Sequence, residues 1–227
     1  MLTAAIVNYN TTQLTECAIR SLLKHVPTAR VVVFDNSDTN PFHSTISQVE
    51  VIDNTHGHFI DFEAELEKYP DREAIGGRNR SNYGSAKHCM SVDLLMDMLP
   101  DGFLLMDSDV LLLKSPEPMI RADKAATGAV RHKRGIMLLQ PFICWLNVPM
   151  LRDYGIRYFN GQKMWALSQQ FPNNRYDTGA WLFEEICNKG LHWMLVDIWQ
   201  YIVHFGHGSW KEKDAEEWLY KNKELWK

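Results

Sequence analysis

The 227-residue chain has no surplus of positive charge: 24 Lys+Arg stand against 28 Asp+Glu, for a formal net charge of -4. That balance excludes general electrostatic attachment to nucleic acid. Long apolar runs are missing too. The most apolar window, 103–113, is broken by Asp107 and Asp109 and falls far short of the roughly 20 residues a membrane helix needs. No basic segment precedes the first apolar run, Ala4-Ala5-Ile6-Val7, which reads as a strand and not as a secretory signal. Cysteine is scarce and scattered. Cys17, Cys89, Cys144 and Cys187 form no C-x-x-C and lie among apolar residues, the pattern of reduced, buried thiols in a reducing compartment. There is no repeat, linker or low-complexity stretch. These absences predict one soluble domain over 1–227, cytoplasmic and at most peripheral to the inner face of a membrane. With 45% hydrophobic residues, a chain of this length buries roughly 70% of its unfolded surface and needs no disulfide or metal to fold.

The pattern of elements is α/β. Continuous apolar runs at 4–7, 31–34 and 103–106 read as strands buried on both faces, with a weaker strand at 49–52. Leu14, Cys17, Ala18 and Leu22 recur at helical spacing until Pro27, and a second helix is expected over about 85–99. Strands alternating with helices to about residue 113 predict a mostly parallel, Rossmann-like sheet with helices on both faces. The second half is mixed. Strands are expected at 127–130, 137–146, 193–196 and 201–205, with a short helix at 181–187. The tail over 211–227, with Trp218, Leu219, Leu225 and Trp226 on one side, reads as a balanced amphipathic helix that packs on its own domain or on a partner. The chain thus divides into a nucleotide-binding half, 1–113, and a substrate-shaping half, 114–227.

Asp107-Ser108-Asp109 follows the run 103–106 directly. In an extended chain, residues i and i+2 share a face, so both carboxylates converge where a parallel strand ends and ligands bind in open α/β sheets. Two such charges repel unless a cation lies between them, and hard oxygen donors suit Mg2+ or Mn2+ bridging to a diphosphate. A haloacid-dehalogenase-type phosphotransferase would want this motif near the chain start and a later acidic pair. Here the adjacent acidic pairs beyond it, Glu184-Glu185 and Glu216-Glu217, fall in helical pattern.

Four segments in order resemble the GT-A glycosyltransferases, in particular the large family 2. They are Ile6-Val7-Asn8-Tyr9-Asn10, Asp35-Asn36-Ser37-Asp38, Asn82-Tyr83-Gly84-Ser85-Ala86 and the D-x-D at 107–109. The resemblance covers about the first half. It implies that Asn8, Tyr9 and Asp35 hold the base and ribose of a nucleoside-diphosphate sugar, a UDP-sugar first. It also implies that Asn82 and Gly84 line the diphosphate and sugar side, Asp107 contacting the donor as well as the metal. An amide, a carboxylate and a ring suit a nucleoside. Arg78 and Arg80 read equally as phosphate partners or as a solvated loop.

In the second half, Val203-His204-Phe205-Gly206-His207-Gly208-Ser209-Trp210 resembles the H-F-x-G segment of the glycogenin-like retaining transferases, with Ser209 where a Lys-Pro would precede the Trp. The resemblance implies that His204 completes the metal site with Asp107 and Asp109, and His207 is assigned a secondary contact. Asp177, ahead of the expected helix, is either the carboxylate that takes a proton from an attacking acceptor hydroxyl or a helix cap. Arg131-His132-Lys133-Arg134 is favoured as an exposed turn over a phosphate contact, and His56-Gly57-His58 as a surface loop. The expected activity is transfer of a sugar to a saccharide or glycolipid hydroxyl. Stereochemistry stays open, the first half leaning to inversion and the His204 segment to retention. The rivals are a sugar-nucleotidyltransferase, whose G-x-G-T-R-type loop is absent after the first strand, and a degenerate transferase kept as a carbohydrate-binding subunit.

Overall fold

The computed structural model describes residues 1–68, 83–133, 135–165, 176–206 and 212–227. The first apolar run forms β1 (Thr3–Asn8), and its asparagine ends the strand at the sheet's carboxyl edge. Helix α1 (Thr12–His25) buries Leu14, Cys17, Ala18, Ile19 and Leu22, and stops where the Val26 amide bonds back to Leu22 ahead of Pro27. Lys24 and His25 occupy its last turn, where positive charge complements the helix dipole. β2 (Arg30–Asp35) and β3 (Val49–Asp53) follow, then α2 (Phe62–Glu67) and α3 (Tyr83–Met98). Gly102 turns the chain into β4 (Phe103–Asp107) at φ +95°, and a Cβ there would lie 2.7 Å from the Leu146 carbonyl oxygen. Only glycine fits.

The second half contributes β5 (Val110–Leu112), β6 (Ala126–Lys133), β7 (Ile136–Leu146), α4 (Val148–Asp153), α5 (Gly161–Trp165), α6 (Ala180–Asn188), β8 (Trp193–Leu195), β9 (Ile202–His204) and α7 (Glu212–Lys221). The main sheet runs β3-β2-β1-β4-β7-β6-β8. β3, β2, β1 and β4 are parallel, β7 is antiparallel to both neighbours, and β8 is parallel to β6. β5 and β9 form a separate antiparallel ribbon. Apolar side chains cover both faces. α3, α4 and α6 pack Leu95, Leu151 and Phe183 against Phe103 and Leu105 on one side, while α1 packs Ala18, Ile19 and Leu22 against Val31, Val33, Leu104 and Met106 on the other. The fold is α/β, with a mostly parallel central sheet and helices on both faces.

Some local expectations shift. α2, α4 and α5 were not expected because five or six residues are too short to display a helical period, although Asn147, whose side chain accepts from the Met150 amide, and the proline behind it mark the start of α4. Cys187 is exposed on α6, so only three cysteines are buried. The described part of the tail packs on its own domain. Ala215 and Leu219 of α7 bury against Leu14, Cys17 and Leu111, with Trp218 and Trp226 partly buried beside them. No described helix is long and apolar enough to cross a membrane.

Candidate metal and nucleotide site

The carboxyl ends of β1, β2 and β4 meet at one edge of the sheet, and the strand register fixes who arrives there. Asn8 pairs with Asp35, and Val7 with Asp107. Asp107 is the last residue of β4, and the chain turns through Ser108 and Asp109 into β5. β9 lies antiparallel on β5 with His204 opposite Val110, which carries the imidazole to the same turn. Asp107, Asp109 and His204 each offer a ligand atom, all within 4.8 Å of one another.

Asp109 is buried and held from several sides. Its Oδ1 lies 3.1 Å from His204 Nε2, its Oδ2 accepts from the Gly206 amide at 3.1 Å, and its carbonyl accepts from the Phe205 amide at 3.0 Å. The His204 ring rests on Phe142, centroids 4.0 Å apart, and Phe142 in turn meets the exposed Trp199 at 6.1 Å. Burial and the neighbouring Asp109 charge raise the Asp107 carboxyl, with His204 opposing. Burial alone would lower the imidazole of His204; its bond to Asp109 and the charges of Asp109 and Asp107 outweigh that and raise it. Two carboxylates and one imidazole within this span form a donor set for a hard or borderline divalent cation such as Mn2+ or Mg2+, and a cation relieves the repulsion that lifts Asp107.

The two loops beside the triad are laced together. Asn8 is fully buried. Its amide donates to Asp35 Oδ1 at 2.8 Å and Ser37 Oγ at 3.0 Å, and its carbonyl accepts from Thr11 at 2.8 Å and Thr15 at 2.7 Å. Asp35 is filled as well: Oδ1 also accepts from the Ser37 amide and hydroxyl, and Oδ2 from the Phe42 amide at 2.7 Å. Both side chains therefore brace the loops from inside. Tyr9 is the member of this group that reaches solvent. Its hydroxyl donates to Asp38 at 2.8 Å, and the Lys87 ammonium of α3 stands 5.7 Å from its ring centroid. Asn10 takes the left-handed conformation at φ +55° and gathers the Asp38, Thr39 and Asn40 amides at 3.2 Å each on its side-chain oxygen. Thr11 Oγ1, whose proton goes to Asn8, accepts from the Ser108 hydroxyl at 2.9 Å, tying this loop to the D-x-D turn.

Asp177 lies near enough to the triad that its charge adds to the rise at Asp107. It does not cap α6, whose N-cap is Gly179. Gly179 is fixed by packing at φ +79°, since a Cβ would fall 2.0 Å from the Leu139 carbonyl oxygen. Lys133 donates to Asp177 Oδ2 at 2.6 Å, while Ser85 Oγ at 2.8 Å and the Thr178 amide at 2.9 Å donate to Oδ1. Burial works to raise this carboxyl, but Lys133, Thr178 and Ser85 together outweigh it and hold Asp177 below the usual carboxylate range. Gly84 lies exposed in the first turn of α3, and a Cβ there would meet nothing within 4 Å. Arg78, Arg80, Asn82, Arg134 and His207 lie outside the described residues. Sequence reasoning did not find Asn10, the Thr11–Ser108 link or Phe142 beneath His204, and it left Lys133 as a turn residue. The αL-tolerant asparagine after Tyr9 was a legible signal for the first of these.

No family model and no curated protein matches the sequence. Among solved structures, the galactosyltransferase LgtC in complex with donor and acceptor sugar analogues is similar over 85% of this chain and 73% of that chain, with 13% identity and a TM-score of 0.48. A mannosyltransferase from Pyrobaculum calidifontis, in complex with GDP-Man and Mn2+, is similar over 86% of this chain and 54% of its own, at 11% identity and a TM-score of 0.47. The apo form of the glycosyltransferase GlyE of Streptococcus pneumoniae is similar over 99% of this chain and 50% of its own, at 13% identity and a TM-score of 0.49.

Proposed function

We propose that this chain is a metal-dependent glycosyltransferase of the GT-A type, moving a sugar from a nucleoside-diphosphate sugar, a UDP-sugar first, to a hydroxyl of a saccharide or glycolipid. The observation that carries the reading is the convergence of Asp107, Asp109 and His204 at the carboxyl edge of the parallel strands. That edge is where open α/β sheets bind their ligands. Asp107, Asp109 and His204 would hold Mn2+ or Mg2+, and the bound ion would supply positive charge against the negative charge that grows on a departing diphosphate. Asn8 and Asp35 fix the shape of the base-and-ribose subsite from within, and the exposed Tyr9 offers its ring to the base. Gly84 leaves open space for a donor at the start of α3, and Arg78 and Asn82 are assigned to the same side by their place in the sequence. Asp177 is the acceptor-side carboxylate. Residues 1–113 form the donor half and 114–227 the acceptor half of one domain.

The test is release of free nucleotide from a panel of nucleotide sugars with Mn2+, with and without acceptor sugars. Asp109→Ala removes both the ligand and the partner of His204, and is expected to abolish turnover with the circular dichroism spectrum unchanged. Undiminished release in excess chelator, or no release from any donor, would overturn the reading.

A further inference from the structure

Among the described residues, three elements distant in sequence meet at the Asp177 carboxylate. Ser85 comes from the start of α3, Thr178 follows Asp177 itself, and Lys133 reaches over from the end of β6. The two oxygens are used unequally. Oδ1 accepts from Ser85 and Thr178, whereas Oδ2 accepts from Lys133 alone. Oδ2 is therefore the atom with capacity left for a substrate hydroxyl. An ammonium carries three N–H donors, and Asp177 takes one. Lys133 is partly exposed, its side chain at 42%, so its remaining donors are open to a ligand that reaches Oδ2.

We infer that Lys133 is a positioning residue for Asp177, keeping that carboxylate ionised and turned toward the site while offering a second donor to the same substrate oxygen. The inference rests on the transferase reading for the identity of the substrate, but not for the coupling between the two side chains. The surroundings make the cation necessary. The charge of Asp177 is felt at Asp107 on β4, and His88 on α3, neutral under its burial, feels it as well. Cys89 of α3 and Tyr158, both buried and pushed up chiefly by that burial, feel the same charge and stay neutral, and the Ser85 hydroxyl and the Thr178 amide carry none. Lys133 is thus the one formal positive charge among the described residues that pairs with Asp177. An opposite charge at this range shifts a carboxyl by about one to three pH units.

The experiment compares Lys133→Met, Lys133→Gln and Lys133→Arg with the parent chain. Carboxyl-carbon NMR follows the titration of Asp177, the resonance being assigned by its loss in Asp177→Asn. The neutral variants are expected to move the Asp177 midpoint up by about one pH unit or more, and the acid limb of nucleotide release should move with it. Lys133→Arg should restore both. An unmoved Asp177 midpoint in whichever neutral variant retains the native circular dichroism spectrum would overturn the inference, as would an acid limb that ignores the shift. Because the NMR titration needs no turnover, a shifted midpoint without nucleotide release from any variant or the parent would refute the transferase reading and leave the Lys133–Asp177 coupling intact.

Discussion

Replacing Asn8 with alanine separates a residue that builds the nucleotide loops from one that touches a ligand. In the structure the side chain makes two donor and two acceptor bonds within the protein, at 2.7 to 3.0 Å. A neutral bond contributes about 0.5–1.5 kcal/mol net, and one to a charged group about 1.5–3 kcal/mol. The bond to Asp35 belongs to the second class. Part of the loss is recovered locally: Thr11 also reaches Ser108, and Asp35 keeps the Ser37 and Phe42 amides. Thr15 is left without that acceptor in a buried position. The expected cost is about 3 kcal/mol, a large share of the roughly 5–15 kcal/mol that holds a typical domain together. Urea unfolding with an unchanged m-value measures it directly. A loss below about 1 kcal/mol together with abolished nucleotide binding would refute the bracing role and return Asn8 to direct contact with the base.

The sheet was legible because parallel strands buried on both faces must be apolar without interruption. The runs 4–7, 31–34 and 103–106 could scarcely be anything else, and all lie inside β1, β2 and β4. The acidic pair was legible through its placement, since a strand that ends in Asp107 and turns at Ser108 must bring Asp109 to the same edge. The strand at 201–205 was expected and contains β9, but the role of His204 came mainly through resemblance; what puts its imidazole beside Asp109 is the β5–β9 pairing, a tertiary contact with no local repeat to announce it. The Lys133–Asp177 pair was invisible for a stronger reason. Its members lie 44 positions apart on a hairpin and a loop, where side-chain meeting is set by tertiary packing and not by any local repeat. Asp177 also illustrates how position in the sequence invites the wrong local role. It stands three residues ahead of α6 in the manner of a cap, but the left-handed Gly179, pressed on the Leu139 carbonyl, takes that position instead.

Two stability predictions complete the set. Gly179→Ala meets both a left-handed φ and the Leu139 carbonyl, whereas Gly155→Ala, at φ +66°, meets open space. The second should cost about 1–2 kcal/mol from backbone conformation alone, and the first clearly more by thermal unfolding; equal losses would show that the contact with Leu139 is unimportant. The other concerns pH. Asp93 of α3 is held near the Tyr158 and Phe159 amides and 3.4 Å from Arg157, with only 13% of its side chain exposed. Burial pushes its carboxyl up to about 6, against the pull of Arg157 and the two amides, and nearby Asp97 adds to the rise. The unfolded chain releases this proton near pH 4, roughly two units lower. Between those values the folded state binds more protons than the unfolded state, so stability must fall as pH rises from about 4 to about 6 and level off above. At about 1.36 kcal/mol per unit, the full change is about 3 kcal/mol. Other carboxylates titrate in the same window, but they are shared with Asp93→Asn and cancel when the two unfolding curves are subtracted. The parent's stability relative to Asp93→Asn should therefore decline across that window and stay constant at neutral pH. A difference that is flat, or that grows with pH, would mean that Arg157 and the two amides outweigh burial and hold the carboxylate ionised throughout.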